Sequence, residues 1–148
     1  MEKYLDINNI IAIIKEKRKS IIIFVDNIVV INKNIKKIID ELCILNGSSL
    51  EGRIKYAQNV IKKAYKVPIV ICDNCVLLQL ESWKKDSMIC LNACKILNYK
   101  VTNNNMLIRC VCNYIFKIDI SKSRLERMLI NYIKLNNQIK WQENANFV

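Results

Sequence analysis

Residues that break regular structure are almost absent from this chain: across 148 positions there are two glycines, Gly47 and Gly52, and one proline, Pro68. A flexible linker between domains needs a stretch rich in Gly, Ser or Pro. No such stretch, internal repeat or low-complexity tail occurs, so residues 1–148 read as one domain. Apolar residues make up 52% of the chain, enough to build a hydrophobic core.

The apolar runs at 10–14, 21–25 and 28–31 are separated by Lys15, Glu16, Lys17, Arg18, Lys19 and Asp26. None approaches the ~20 residues that a membrane-crossing helix requires. Glu2 and Asp6 spoil the basic start of a secretory signal, and no small-residue cleavage site follows. These features point to the cytoplasm, where the seven cysteines are expected to stay reduced.

The first third reads as short strands at 4–7, 10–14, 21–25 and 28–31, with turns at Asn8-Asn9 and Asp26-Asn27. A helix over 6–19 competes, because Ile7, Ile10, Ile11 and Ile14 also fit the helical period; the β-branched side chains favour strands. From Asn34 the period changes. Ile35, Ile38, Ile39 and Leu42 mark one helix face that should stop at Asn46-Gly47. Ser48 and Ser49 offer caps for a second helix running to about Tyr65, with Glu51 three residues after Ser48 as in a capping box.

Strands are expected at 69–71, 76–80, 88–91, 96–101, 106–111 and 114–120, with a turn at 103–105. A last helix starting near Ser121 or Ser123 carries Leu125, Met128, Leu129 and Tyr132 on its apolar face. The predicted class is α+β: antiparallel β-hairpins with a central helix pair and a C-terminal helix.

A formal charge of +11 predicts an acidic partner such as nucleic acid or an anionic surface. Ile, Lys and Asn dominate the composition, so AT-rich coding would account for part of the lysine excess, and the placement of charge is more informative than its total. In the second helix Leu50, Ile54, Ala57, Ile61 and Ala64 form the apolar stripe. Lys55, Lys62, Lys63 and Lys66 cluster opposite it around Asn59, with Arg53 near the amino end and no acid expected on that side. The bland reading is a solvated helix face, where lysines ordinarily sit. The last helix repeats the pattern with Arg124, Arg127, Asn131 and Lys134 along one side. Guanidinium groups bind phosphate at two points and enter narrow A·T minor grooves, so Arg53, Arg124 and Arg127 strengthen a DNA reading. The helix, Gly turn and helix across 34–65 also have the outline of a helix-turn-helix.

Both glycines fall in one hexapeptide, Gly47-Ser48-Ser49-Leu50-Glu51-Gly52, followed by Arg53. Gly47 suits a helix stop and the serines suit caps, but Gly52 in the first helical turn costs about 1 kcal/mol against Ala. Such a residue allows close backbone approach, and amides at a helix start bind phosphate. This Gly-Ser-Ser-x-x-Gly-Arg string resembles that of the ComK family of competence transcription factors. Pro68-Ile69 before a hydrophobic hairpin is similar too, as are Ile120-Ser121, Leu125, Glu126 and Leu135 in register with the family's C-terminal helix. The resemblance covers roughly 34–135. Asp86-Ser87-Met88-Ile89 stands where the family has Cys-x-Trp-Ile.

The resemblance implies a cytoplasmic transcriptional activator that binds A/T-rich DNA, chiefly in the minor groove, as a dimer or higher oligomer, with RNA polymerase as eventual partner. On this reading Arg53, Lys55, Lys62 and Lys63 meet phosphates, and Arg124 and Arg127 form a second contact surface or read the groove. Ser48, Ser49 and the amides beside Gly47 and Gly52 would hold one phosphate.

Cys72-x2-Cys75 with Cys90-x3-Cys94 has spacing close to a four-thiolate zinc site, which makes a zinc-stabilised interaction module the main rival. Cysteine is also a small buried hydrophobe, as Cys110 and Cys112 on one strand face are expected to be. An RNA-binding module is a further alternative, since basic faces do not choose a sugar. The chain has no histidine and no nucleotide-binding loop or nucleophile elbow, so no enzyme and no resident cofactor are expected.

Overall fold

Isoleucine and valine, whose branched side chains suit the extended pleat, carry the chain from β1 (Ile10–Glu16) through β2 (Lys19–Phe24) to β3 (Ile28–Ile31). The computed structural model describes residues 6–62 and 66–145, with side chains through Gln138. The strand reading of 10–14 prevails over the helical one, with Ile13 opposite Ile22 and Ile14 opposite Ile21. Asn8-Asn9 does not turn a hairpin. Both lie in a 3-10 turn, Ile7–Asn9, where the Asn9 amide and side chain donate to the Asp6 carbonyl and carboxylate at 3.0 and 2.6 Å. The first two positions of the expected strand at 4–7 lie outside the described residues. The β1–β2 hairpin turns instead at Lys17-Arg18, with Lys17 at φ 58.

After α1 (Ile35–Leu45) and α2 (Leu50–Ile61) come β4 (Ile69–Cys72), β5 (Cys75–Gln79) and β6 (Ser87–Asn92), completing a six-stranded antiparallel sheet of order β3-β2-β1-β6-β5-β4. A second, three-stranded antiparallel sheet follows: β7 (Ile96–Thr102), β8 (Asn105–Cys110) and β9 (Ile115–Ile118), and then α3 (Lys122–Ala145). The class is α+β.

The large sheet is covered on both faces. On one, Ile10, Ile13, Ile22, Phe24 and Leu77 pack against Ile35, Ile38, Ile39 and Leu42 of α1. On the other, Ile11, Ala12, Ile89 and Leu91 meet Met106, Ile108 and Ile118 of the small sheet and Leu125 and Met128 of α3. Double burial explains why β1 reads as an unbroken apolar run rather than an alternating one.

One polar side chain lies at the centre of this packing. Asn92, fully buried at the end of β6, donates to the carbonyls of Ile10 and Asn74 at 2.7 and 2.9 Å. Its Oδ1 accepts from the amides of Val76 and Cys94, both at 3.1 Å. All four hydrogen-bonding capacities of the amide are thereby used.

α1 begins at Asn34, whose side chain accepts from the Lys36 amide at 2.9 Å, and ends at Asn46 with Gly47 at φ 101. That backbone region is open to glycine and disfavours side chains. Gly47→Ala is expected to lower stability by about 1 kcal/mol, measured as a fall in the urea midpoint at unchanged slope.

Candidate nucleic-acid interface

The Gly47–Arg53 stretch forms the elbow between α1 and α2, and its polar atoms are largely spent on the elbow itself. Ser49, not Ser48, caps α2: its hydroxyl accepts from the Gly52 amide at 3.0 Å, one residue out of the register of the expected capping box. The Leu50 amide donates to the Asp40 carboxylate of α1 at 2.8 Å. A Cβ at Gly52 would lie 2.6 Å from the Ser48 hydroxyl and 3.3 Å from that of Ser49, so the close approach foreseen at this glycine is made by the two serines. A phosphate at this helix start would compete with both bonds.

Arg53 turns inward. Its Nη2 donates to the Asn46 carbonyl at the end of α1 at 2.6 Å, and its Nε is buried without an acceptor among the described residues. Lys55 is exposed, but Glu51 one turn earlier pairs with it at 3.1 Å, so this face of α2 does carry an acid. Lys62 is exposed at the left-handed end of α2, φ 60, where the helix stops earlier than the expected Tyr65. Lys63, Ala64 and Tyr65 lie outside the described residues.

On α3 the Ser121 hydroxyl accepts from the Arg124 amide at 3.2 Å, which starts the helix at Lys122. Arg124, Arg127 and Lys134 are exposed. Asn131 departs from that row: it is buried, because positions 128, 131 and 135 share the helix side that faces the core. Among the described residues Arg124 and Arg127 make no ion pair. Glu126 accepts from the Tyr99 hydroxyl of β7 at 3.3 Å, tying the amino end of α3 to the small sheet. Burial, and then the Glu126 carboxylate, raise the pKa of Tyr99 and keep it a donor. Further along, Leu135 packs with Ala57 and Val67, so the two basic helices lie against each other.

The family model described as ComK protein matches residues 3–144. The chain belongs to the ComK family. No curated protein and no solved structure matches it. It is thus ComK-like, a competence transcription factor in general terms, and the match extends the likeness of 34–135 over nearly the whole chain. Among the described residues no helix is long and apolar enough to cross a membrane.

In this ComK-family chain a groove of mixed charge lies beside Lys55 and Ser49. This groove of about 720 Å³ between α1 and α2 has Lys36, Lys37 and Lys55 in its lining together with Asp40, Glu51 and Trp83. The Lys36 ammonium lies 5.3 Å from the centre of the Trp83 ring, within cation–π range. A lone tryptophan beside Lys84 and Lys85 in a polar stretch was the available signal.

The four thiols of the zinc alternative do not converge. Cys72 and Cys75 face each other across the β4–β5 hairpin, and Cys94 contacts the Asp73 carbonyl at 3.6 Å, but Cys90 is enclosed in the core on the α1 side. Among the described residues no group of three or more His, Cys, Asp or Glu could hold a metal ion. Burial pushes the Cys75 and Cys90 thiols up. Cys110 is buried as expected, whereas Cys112 has left the strand for an exposed left-handed turn, φ 62.

Proposed function

We propose that the protein is a non-enzymatic transcriptional activator that binds A/T-rich duplex DNA, chiefly through the minor groove. It acts in the cytoplasm as a dimer or higher oligomer, with RNA polymerase as eventual partner. The observation that carries this reading is the pair Arg124 and Arg127, exposed on α3 without ion pairs among the described residues, in a chain of charge +11. Free guanidinium groups suit phosphate and narrow A·T grooves. Lys62 adds an exposed cation on the neighbouring helix. The lack of histidine removes the commonest general base and supports a binding role over catalysis.

The test is an anisotropy titration of matched A/T-rich and G/C-rich duplexes across a salt series. With about six phosphate contacts, log K should fall against log[salt] with a slope on the order of −5. A preference of at least about tenfold for the A/T duplex is expected. No binding at low salt overturns the proposal.

A further inference from the structure

The outer face of the small sheet has no covering layer among the described residues. Its inner face is pinned to the core by Met106, Ile108, Tyr99, Phe116 and Ile118, with the Tyr114 and Phe116 rings stacked at 6.1 Å. The outward positions form a two-by-three grid. One row runs Asn98, Arg109, Ile115 across the three strands, and the next runs Lys100, Leu107, Lys117. All are exposed except half-buried Leu107, and Ile115 is 61% exposed. Three of the six are cations, none is an acid, and among the described residues Lys100, Arg109 and Lys117 make no ion pair.

We infer that this face is a DNA-contact surface, a sheet that lies along the minor groove. The inference rests on the DNA-binding reading above and assigns it a second element. Strand spacing puts Lys100 and Lys117, two strands apart, about 10 Å from each other at the backbone. That exceeds the ~6 Å width of the minor groove, so the two ammonium groups meet the phosphate walls on either side. Arg109, on the central strand, points at the groove floor. Proteins that bind the minor groove use Arg there; Asn98 and Ile115 flank Arg109 in its row, on the same edge strands as the two lysines. The platform is stiff, because its other face is core. The Tyr99–Glu126 bond, made on the inner side, further ties the sheet to the amino end of α3.

The experiment compares the wild-type chain, the double variant Lys100→Ala/Lys117→Ala and Arg109→Ala on an A/T-rich duplex across a salt series, with melting curves confirming the fold. The double variant should flatten the slope of log K against log[salt] by about 2, one unit per lost phosphate contact. Arg109→Ala should cut the A/T-over-G/C preference by about tenfold or more. If wild type binds and both variants match it, the sheet assignment falls while the DNA reading stands. If wild type binds neither duplex, the DNA reading fails and takes the sheet with it. A tenfold preference of wild type for an A-form RNA duplex overturns the commitment to DNA.

Discussion

Asn92→Ala should lower the free energy of unfolding by about 3–5 kcal/mol, a large share of the ~5–15 kcal/mol by which a domain is ordinarily stable. Removing the side chain orphans two carbonyls, those of Ile10 and Asn74, and two amides, those of Val76 and Cys94, all previously served by one buried group. The bonds at Ile10 and Val76 are buried, and each buried polar atom left without a partner costs about 1–3 kcal/mol, whereas the part-buried groups of Asn74 and Cys94 can turn to water. Asn92→Asp is the sharper comparison. It keeps the accepting oxygen but loses both donated bonds and places a charge where none is solvated. Chemical denaturation of the two variants beside wild type checks the result, and a loss below 1 kcal/mol for Asn92→Ala would contradict it.

Arg124→Glu/Arg127→Glu should weaken binding to an A/T-rich duplex by about a hundredfold or more at low salt and flatten the salt dependence by about 2. Both side chains are exposed and, among the described residues, unpaired, so the reversal of sign reaches a partner without disturbing the core. Leu125 and Met128, which anchor this helix, are untouched. Anisotropy titrations read the affinity and circular dichroism the intact helix; unchanged affinity with an intact fold would remove α3 from the interface. Arg53 is a poor target for the same test, because its guanidinium is engaged with the Asn46 carbonyl at the end of α1. Lys55 is a weak one, since Glu51 already offsets its charge.

The elements themselves were largely legible in the sequence. β3 spans the expected 28–31, and α1 starts and stops at Asn34 and Asn46-Gly47 as its caps indicate. Local chemistry decides such features, and local chemistry is what a sequence displays. Sheet order was not legible, because β1 is apolar on both faces and its alternation carries no register. Lys17-Arg18 was hidden as a turn for a related reason: lysine supplies no turn signature, and the pairing of β1 with β2 imposes the left-handed backbone. Asn92 reads as an ordinary strand-ending residue until residues 10, 74, 76 and 94 are brought around it.

The candidate site divides along the same line. The arginines of α3 were found from helical periodicity, and their exposure follows from it. The inward turn of Arg53 is not legible, because its partner, a backbone carbonyl, has no letter in the sequence. Lys100, Arg109 and Lys117 carry little signal in the sequence, since each is a single charge in its strand. Their alternation with Tyr99, Ile108 and Phe116 was the available sign of a shared outer face.

The place of β1 in the middle of the large sheet bears on how the molecule is made. Its partner on one side, β2, follows at once, but on the other side Ala12 pairs with Leu91, roughly eighty residues later, which at ~5–20 residues per second leaves an interval of roughly 4–16 s during synthesis. Until β6 emerges from the ribosome, Ile11 and Ile13 stand on an open, strongly apolar edge, the kind that recruits foreign strands. The nascent chain is therefore most exposed to aggregation, and most in need of a chaperone, midway through its own translation.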